Sequence, residues 1–86
     1  MPDKYFVYTL RSADKSLEKI PQLWHRKILI VLKELEKNPF LGEKRGELSD
    51  KRKIRVWPYR IIYFIDKKQN AVVVIEIAHR GNVSYD

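Results

Sequence analysis

The stretch KIRVWPYRIIYFIDKKQNAVVVIEIAHRGNVSY, residues 53–85, decides the fold of this chain. It contains three runs rich in β-branched and aromatic residues, separated by the turn formers Trp57-Pro58 and Asp66–Asn70. These runs predict three strands: Lys53–Val56, Arg60–Ile65 and Ala71–Ala78. Because the connections are short, the strands should form an antiparallel meander. The last run, AVVVIEIA, is almost wholly apolar, which predicts a central strand of the sheet that is covered on both faces.

Upstream of the meander, the sequence predicts one strand and two helices. Tyr5–Thr9 is aromatic and β-branched, which favours a strand. Ser12 is placed to cap a first helix, and Pro21 separates this helix from a second one. The second helix should run from Gln22 to about Asn38, because its apolar residues recur at intervals of three and four positions. They are Trp24, Ile28, Val31 and Leu35.

The element order β-α-α-β-β-β predicts an α+β fold. We expect a helical hairpin packed on one face of a largely antiparallel four-stranded sheet, with residues 40–52 as a loop. The 86 residues should form a single domain, residues 1–86, with a thin core.

Composition narrows the possible functions. The chain has no cysteine and two histidines, so we predict neither a disulfide framework nor a metal site, and no cofactor. Its apolar runs are shorter than the roughly 20 residues that a membrane span needs. The N-terminal segment lacks the apolar core of a signal peptide, so the expected location is the cytoplasm.

The formal charge of +7 is concentrated in the second half of the chain. Residues 1–43 contain eight Lys/Arg and six Asp/Glu, a balance of +2, and residues 44–86 contain ten and five, a balance of +5. A cluster of this kind suits a polyanion, either nucleic acid or an acidic protein. A solvated surface that keeps a small protein soluble is the alternative.

Strand alternation predicts where this charge lies. Side chains alternate between the two faces of a strand, so positions of equal parity share a face. If Ile54, Ile61, Ile77 and their same-parity neighbours, including Val73 and Ile75, lie under the helices, the opposite face collects the charged residues. They are Lys53, Arg55, Arg60, Glu76 and, by continuation, Arg80. The alternative is that these residues are ordinary strand charges that discourage aggregation.

The runs KIRVWPYRIIYFI and VVIEIAHRGNVSY resemble the RelE-type toxins of the RelE/ParE toxin–antitoxin superfamily, whose fold is like that of microbial ribonucleases. The resemblance covers nearly the whole chain. It implies a ribosome-dependent endoribonuclease that cuts mRNA in the ribosomal decoding site, needs no metal and is held in check by a RelB-like antitoxin. By motif match, the catalytic residues that it implies are Arg60, Arg80, Tyr85, Lys53 and Arg55.

In this reading Arg60 and Arg80 clamp the phosphate, Lys53 is a possible acid, and Tyr85 stacks on a base or moves a proton. His79 is a possible further catalytic residue, although parity directs it toward the helices. The predicted RNA-binding residues are Lys44, Arg45, Lys51, Arg52 and Trp57. Some relatives carry lysine at the position of His79 and have a C-terminal helix after the last strand, which leaves the proton donor and the mode of antitoxin binding open.

Two other functions fit the same resemblance. ParE-like members of the superfamily share the fold and inhibit DNA gyrase by binding, without cutting a substrate. A nonenzymatic RNA-binding protein would also use a basic sheet face. The complete basic set together with Tyr85 favours the nuclease.

Overall fold

A computed structural model describes residues 4–44 and 50–79. In these ranges the chain forms seven elements in the order β-α-α-β-β-β-β. They are β1 (Phe6–Thr9), α1 (Arg11–Lys19), α2 (Gln22–Lys37), β2 (Glu43–Lys44), β3 (Lys51–Val56), β4 (Tyr59–Asp66) and β5 (Ala71–His79). Neither helix in this part of the chain is long and apolar enough to cross a membrane.

The strands form one mixed five-stranded sheet in the order β1-β5-β4-β3-β2. The meander β3-β4-β5 is antiparallel, and β1 joins it parallel to β5. The predicted α+β fold with two helices on the sheet is therefore confirmed. β5 is a central strand as expected, but in the described residues the helices cover only one of its faces. The fifth strand is β2, a two-residue strand within the predicted loop. Two residues are too few to show alternation in the sequence.

The core lies between the helices and one face of the sheet. α2 contributes Ile28, Leu32 and Leu35, which are at most 8% exposed, and α1 contributes Ala13. They pack with sheet residues that are also buried: Ile61, Tyr63, Val72, Val74 and Ile77. We call the face of the sheet that carries these residues the helix face. The predicted stripe of α2 is confirmed in outline, since Trp24 and Val31 pack against the same core.

A β-bulge in β5 corrects the predicted alternation. Ile62 is opposite Glu76 and Tyr63 is opposite Val74, so Ile75 is an extra residue without a partner in β4. Such an insertion reverses the parity of a strand. Val72 and Val74 therefore pack on the helix face together with Ile77, whereas strict alternation had placed them on the other face.

Ser12 does not cap α1. The residue that precedes the helix is Leu10, which makes no capping side-chain hydrogen bond, and Ser12 lies within the first turn. The Ser12 hydroxyl instead donates to the carbonyl oxygen of Ile75 at 2.9 Å, so it joins the helix to the bulged residue. The Thr9 hydroxyl donates to the carboxylate of Asp14 at the same end of α1.

Tyr63 anchors the segment between α2 and β2. Its side chain is fully buried. The hydroxyl donates to the Pro39 carbonyl at 2.7 Å and accepts from the Gly42 amide at 2.9 Å. Burial raises the pKa of the Tyr63 phenol, and the hydrogen bond from Gly42 and the nearby Arg52 charge only partly oppose that shift. The neutral phenol is thus the form that the fold requires.

Candidate nucleic-acid interface on the open face of the sheet

The sheet face opposite the helices, here called the open face, is organised in four cross-strand rows that follow from the strand register. The arginine row is Arg55, Arg60 and Ala78; the lysine row is Glu43, Lys53, Ile62 and Glu76; the aromatic row is Lys51, Phe64, Val73 and Tyr8; the terminal row is Asp66, Ala71 and Phe6. Successive rows are about 7 Å apart, because they differ by two residues along β3 and β4. On β5 the bulge adds a third residue between the lysine row and the aromatic row.

The arginine row places two like charges opposite each other. Arg55 on β3 pairs with Arg60 on β4 next to the two-residue connection Trp57-Pro58. Directly opposed side chains have Cβ atoms about 5 Å apart, and like charges at this distance destabilise a sheet. Arg55 is exposed, so an anion can reach this pair from solvent. A guanidinium is a planar donor that can bind a phosphate through two hydrogen bonds, so this row is suited to an anion.

The lysine row has a formal charge of −1, from one lysine and two glutamates. Lys53 on β3 has Glu43 of β2 directly opposite on one side, and Ile62 followed by Glu76 on the other. The sequence predicted Glu76 as the one carboxylate of this face; the register adds Glu43, because β2 was not predicted. Lys53 and Arg55 also line a cavity of about 380 Å³ together with Leu41, Glu43 and Ile54. Positive charge is therefore greatest at the arginine row.

Several residues predicted to contact RNA lie elsewhere. Lys44 and Arg52 are opposite each other and in register with Tyr63, on the helix face. The Arg52 guanidinium donates to the Gly42 carbonyl at 2.7 Å and lies 5.1 Å from the centre of the Phe40 ring. Lys51, by contrast, is on the open face, and Trp57 is 63% exposed in the turn beside the arginine row.

His79 is on the helix face. It pairs with Tyr59 across the strands, and the two rings meet edge to face at 5.2 Å between centroids. Both line a cavity of about 410 Å³ whose α1 side includes Ser16 and Lys19. This position is the one that parity predicts, and it separates His79 from the arginine row. Three further predicted site residues, Arg45, Arg80 and Tyr85, lie outside the described ranges.

Residues 7–83 match the family described as the ParE toxin of the type II toxin–antitoxin system parDE. The chain belongs to this RelE/ParE toxin superfamily. Comparison with curated protein sequences finds no significant match.

Solved structures of RelE toxins share the fold of this toxin. The toxin–antitoxin complex RelBE2 from Mycobacterium tuberculosis matches with a TM-score of 0.80 and 26% identity, over 95% of this chain and 98% of that one. The intact Escherichia coli RelBE complex matches with a TM-score of 0.77 and 25% identity, over 87% of this chain and 95% of that one. The archaeal RelE–RelB complex from Pyrococcus horikoshii matches with a TM-score of 0.79 and 23% identity, over 93% of this chain and 99% of that one. The predicted resemblance to RelE-type toxins is confirmed.

Sequence reasoning missed part of this toxin's open face. Phe6 and Tyr8 of β1 were assigned only to a first strand, because the sequence did not place β1 in the sheet. Val7 packs against the core, so alternation directs its two neighbours to the open face, and the pairing of Tyr8 with Val73 places them beside β5. Within residues 4–44 and 50–79, no group of three His, Asp or Glu side chains is arranged to hold a metal ion.

Proposed function

We propose that this RelE/ParE toxin is a ribosome-dependent endoribonuclease that cleaves mRNA and so blocks translation. One observation carries the proposal: Arg55 and Arg60 are opposed on an open sheet face, with Lys53 in the adjacent row. A face of this kind holds a phosphodiester between cations. The proposal fits the RelE structures that share the fold.

The reaction is the attack of an RNA 2′-hydroxyl on the adjacent phosphorus. The 2′-oxygen forms a bond to phosphorus, the bond from phosphorus to the 5′-oxygen breaks, and a cyclic phosphate remains on the upstream fragment. One group removes the 2′ proton and another protonates the leaving 5′-oxygen. The requirement for a 2′-hydroxyl restricts the substrate to RNA.

Arg60 and Arg55 act as phosphate ligands in this scheme. They stabilise the extra negative charge that develops on the phosphorane oxygens, which is the contribution that a metal ion supplies in other nucleases. Lys53, in the next row with Glu43 and Glu76, is the candidate acid among the described residues. We assign Arg80 to a second phosphate clamp and Tyr85 to base stacking or proton transfer, on the resemblance alone.

We further propose that a RelB-like antitoxin is the cellular partner, because the matching toxins from M. tuberculosis and E. coli were crystallised with their antitoxins. The mRNA substrate and the ribosome place the proposed activity in the cytoplasm.

The test is cleavage of a translated message in a reconstituted system, followed by primer extension. The wild-type toxin should create new 5′ ends, and Arg60→Ala should reduce cleavage at least about tenfold, because the variant loses a transition-state contact. Arg26→Ala removes an equal charge from the exposed surface of α2 and is the matched control. Equal cleavage by the wild type and Arg60→Ala would refute the assigned site.

A gyrase inhibitor is the competing function, and the description of the matched family as ParE favours it. The same preparation should therefore be added to a gyrase supercoiling reaction. Inhibition of gyrase with intact message would establish the ParE-like function. RNA binding with neither effect would indicate a nonenzymatic RNA-binding protein.

A further inference from the structure

We infer that Phe6 and Tyr8 form a stacking platform for unpaired bases of the message, at the opposite end of the open face from the arginine row. This inference rests on the proposed nuclease function and extends it to a second RNA subsite. Its chemistry is that of aromatic rings in contact with the faces of nucleobases, which occurs widely in single-strand binding.

The rings of Phe6 and Tyr8 are exposed and are not part of the hydrophobic core. Phe6 is 66% exposed and Tyr8 is 51% exposed. Val7, between them, makes the core contact of β1. Their centroids are 6.3 Å apart with an angle of 34° between the planes, so they present two adjacent ring surfaces. Two large aromatic side chains at exposed edge-strand positions are typical of a binding surface.

The platform is continuous with the proposed site. The row that holds Tyr8 crosses β5 at Val73 and β4 at Phe64 and ends at Lys51 on β3. It is two rows from Arg55 and Arg60, about 14 Å along the strands. A strand of RNA whose phosphate lies between the two arginines can continue across this row, because the intervening surface belongs to the same sheet.

Charge at this end of the face favours RNA over an apolar protein segment. Phe64 and Lys51 line an open cavity of about 730 Å³, to which the turn after β4 contributes Lys67 and Lys68. Asp50 and Asp66 also line it, so its formal charge is +1 from three lysines and two aspartates. Asp66 accepts hydrogen bonds from the Lys68 amide and the Gln69 side chain, which holds its carboxylate to the turn. The Phe6 amide donates to the Asn70 carbonyl of this turn at 2.9 Å, so Lys67 and Lys68 lie at the same end of the sheet as the two rings. Stacked bases there would have cations within reach of their phosphates.

The experiment measures binding of the toxin to ribosomes programmed with a message that carries 2′-O-methyl groups in the decoding codon, which prevents cleavage. Phe6→Ala and Tyr8→Ala should each raise Kd at least about fivefold, the lower limit for one lost base stack. Tyr8→Leu keeps an apolar strand residue without the ring and should show the same loss. Leu23→Ala on α2 removes a side chain of similar exposure (59%) from another surface and should bind like the wild type.

A second arm identifies the bases. One abasic nucleotide is placed in turn at each position near the cleaved bond. At the stacked position, the abasic message should weaken wild-type binding by the same factor as Tyr8→Ala, and the two changes together should add no further loss. Salt dependence should be unchanged in the aromatic variants, since they contact no phosphate.

Wild-type affinity in Tyr8→Ala and Phe6→Ala, or losses that are independent of every abasic position, would overturn the platform and leave the nuclease proposal intact. A loss of affinity for the antitoxin alone would also overturn it, because the rings would then contact protein. Wild-type toxin that fails to bind programmed ribosomes would overturn both proposals together.

Discussion

Replacement of Tyr63 by phenylalanine should destabilise the fold through two hydrogen bonds. The lost hydroxyl leaves the Pro39 carbonyl and the Gly42 amide without their partner at a buried site, where the two bonds measure 2.7 and 2.9 Å. Phenylalanine has no hydroxyl to desolvate, which offsets part of this cost, so the net loss of unfolding free energy should be about 1–3 kcal/mol. For a domain of this size, that corresponds to a fall in Tm of roughly 4–24 °C.

The same substitution should change the pH dependence of stability. Burial raises the pKa of folded Tyr63 above the ordinary value of 10.0, so above pH 10 the unfolded phenol loses its proton while the folded one keeps it. Stability that is fully present below pH 10 is therefore lost as the pH rises toward the folded pKa. The variant lacks this group, so the difference in unfolding free energy between the two proteins should shrink above pH 10.

Urea unfolding followed by tryptophan fluorescence measures both effects. Tyr8→Phe is the matched control: it makes the same chemical change at a side chain that is 51% exposed and should alter stability by less than about 0.5 kcal/mol. If Tyr63→Phe were as stable as the wild type and followed the same pH curve, the role of Tyr63 as an anchor would be refuted.

Three further outcomes can be tested on the same chain. Gly42→Ala should lower the free energy of unfolding by about 1–3 kcal/mol, as measured by urea titration. The reason is steric: a Cβ at this position would lie 2.8 Å from the Tyr63 hydroxyl and 2.9 Å from the Lys53 carbonyl oxygen. Ser12→Ala should lower it by about 1 kcal/mol through the lost bond to the Ile75 carbonyl, and an unchanged urea midpoint would contradict this. Lys53→Gln should reduce the salt slope of single-stranded RNA binding by about 0.7; a wild-type slope would exclude a phosphate contact.

The fold could be predicted from the sequence because the spacing of the apolar residues changes along this chain. The stripe from Trp24 to Leu35 has a helical period, and the meander is broken at Trp57-Pro58 and at the turn that precedes Ala71. The α+β class and the order of these elements followed from those signals. The boundaries differ by at most a few residues, as for β3, which begins at Lys51 instead of Lys53.

The bulge and β2 were not predictable for physical reasons. Every residue in the run Ala71–Val74 is apolar, so the sequence does not show which of them face the helices. The extra residue at Ile75, which exchanges the two faces, therefore cannot be detected from the sequence. β2 exists through its pairing with β3, which is a long-range property. The pairing of Arg55 with Arg60 could be predicted from the sequence, because a two-residue connection fixes the register of a hairpin.

The position of β5 has a consequence for the synthesis of this toxin. β5 lies between β1 and β4, so β1 has no neighbour in the sheet until β5 is made: Phe6 pairs with Ala71, 65 positions later. A nascent chain that still lacks residues 71–79 cannot close its core. This toxin can therefore fold only after its chain has been translated through β5 and that strand has left the exit tunnel.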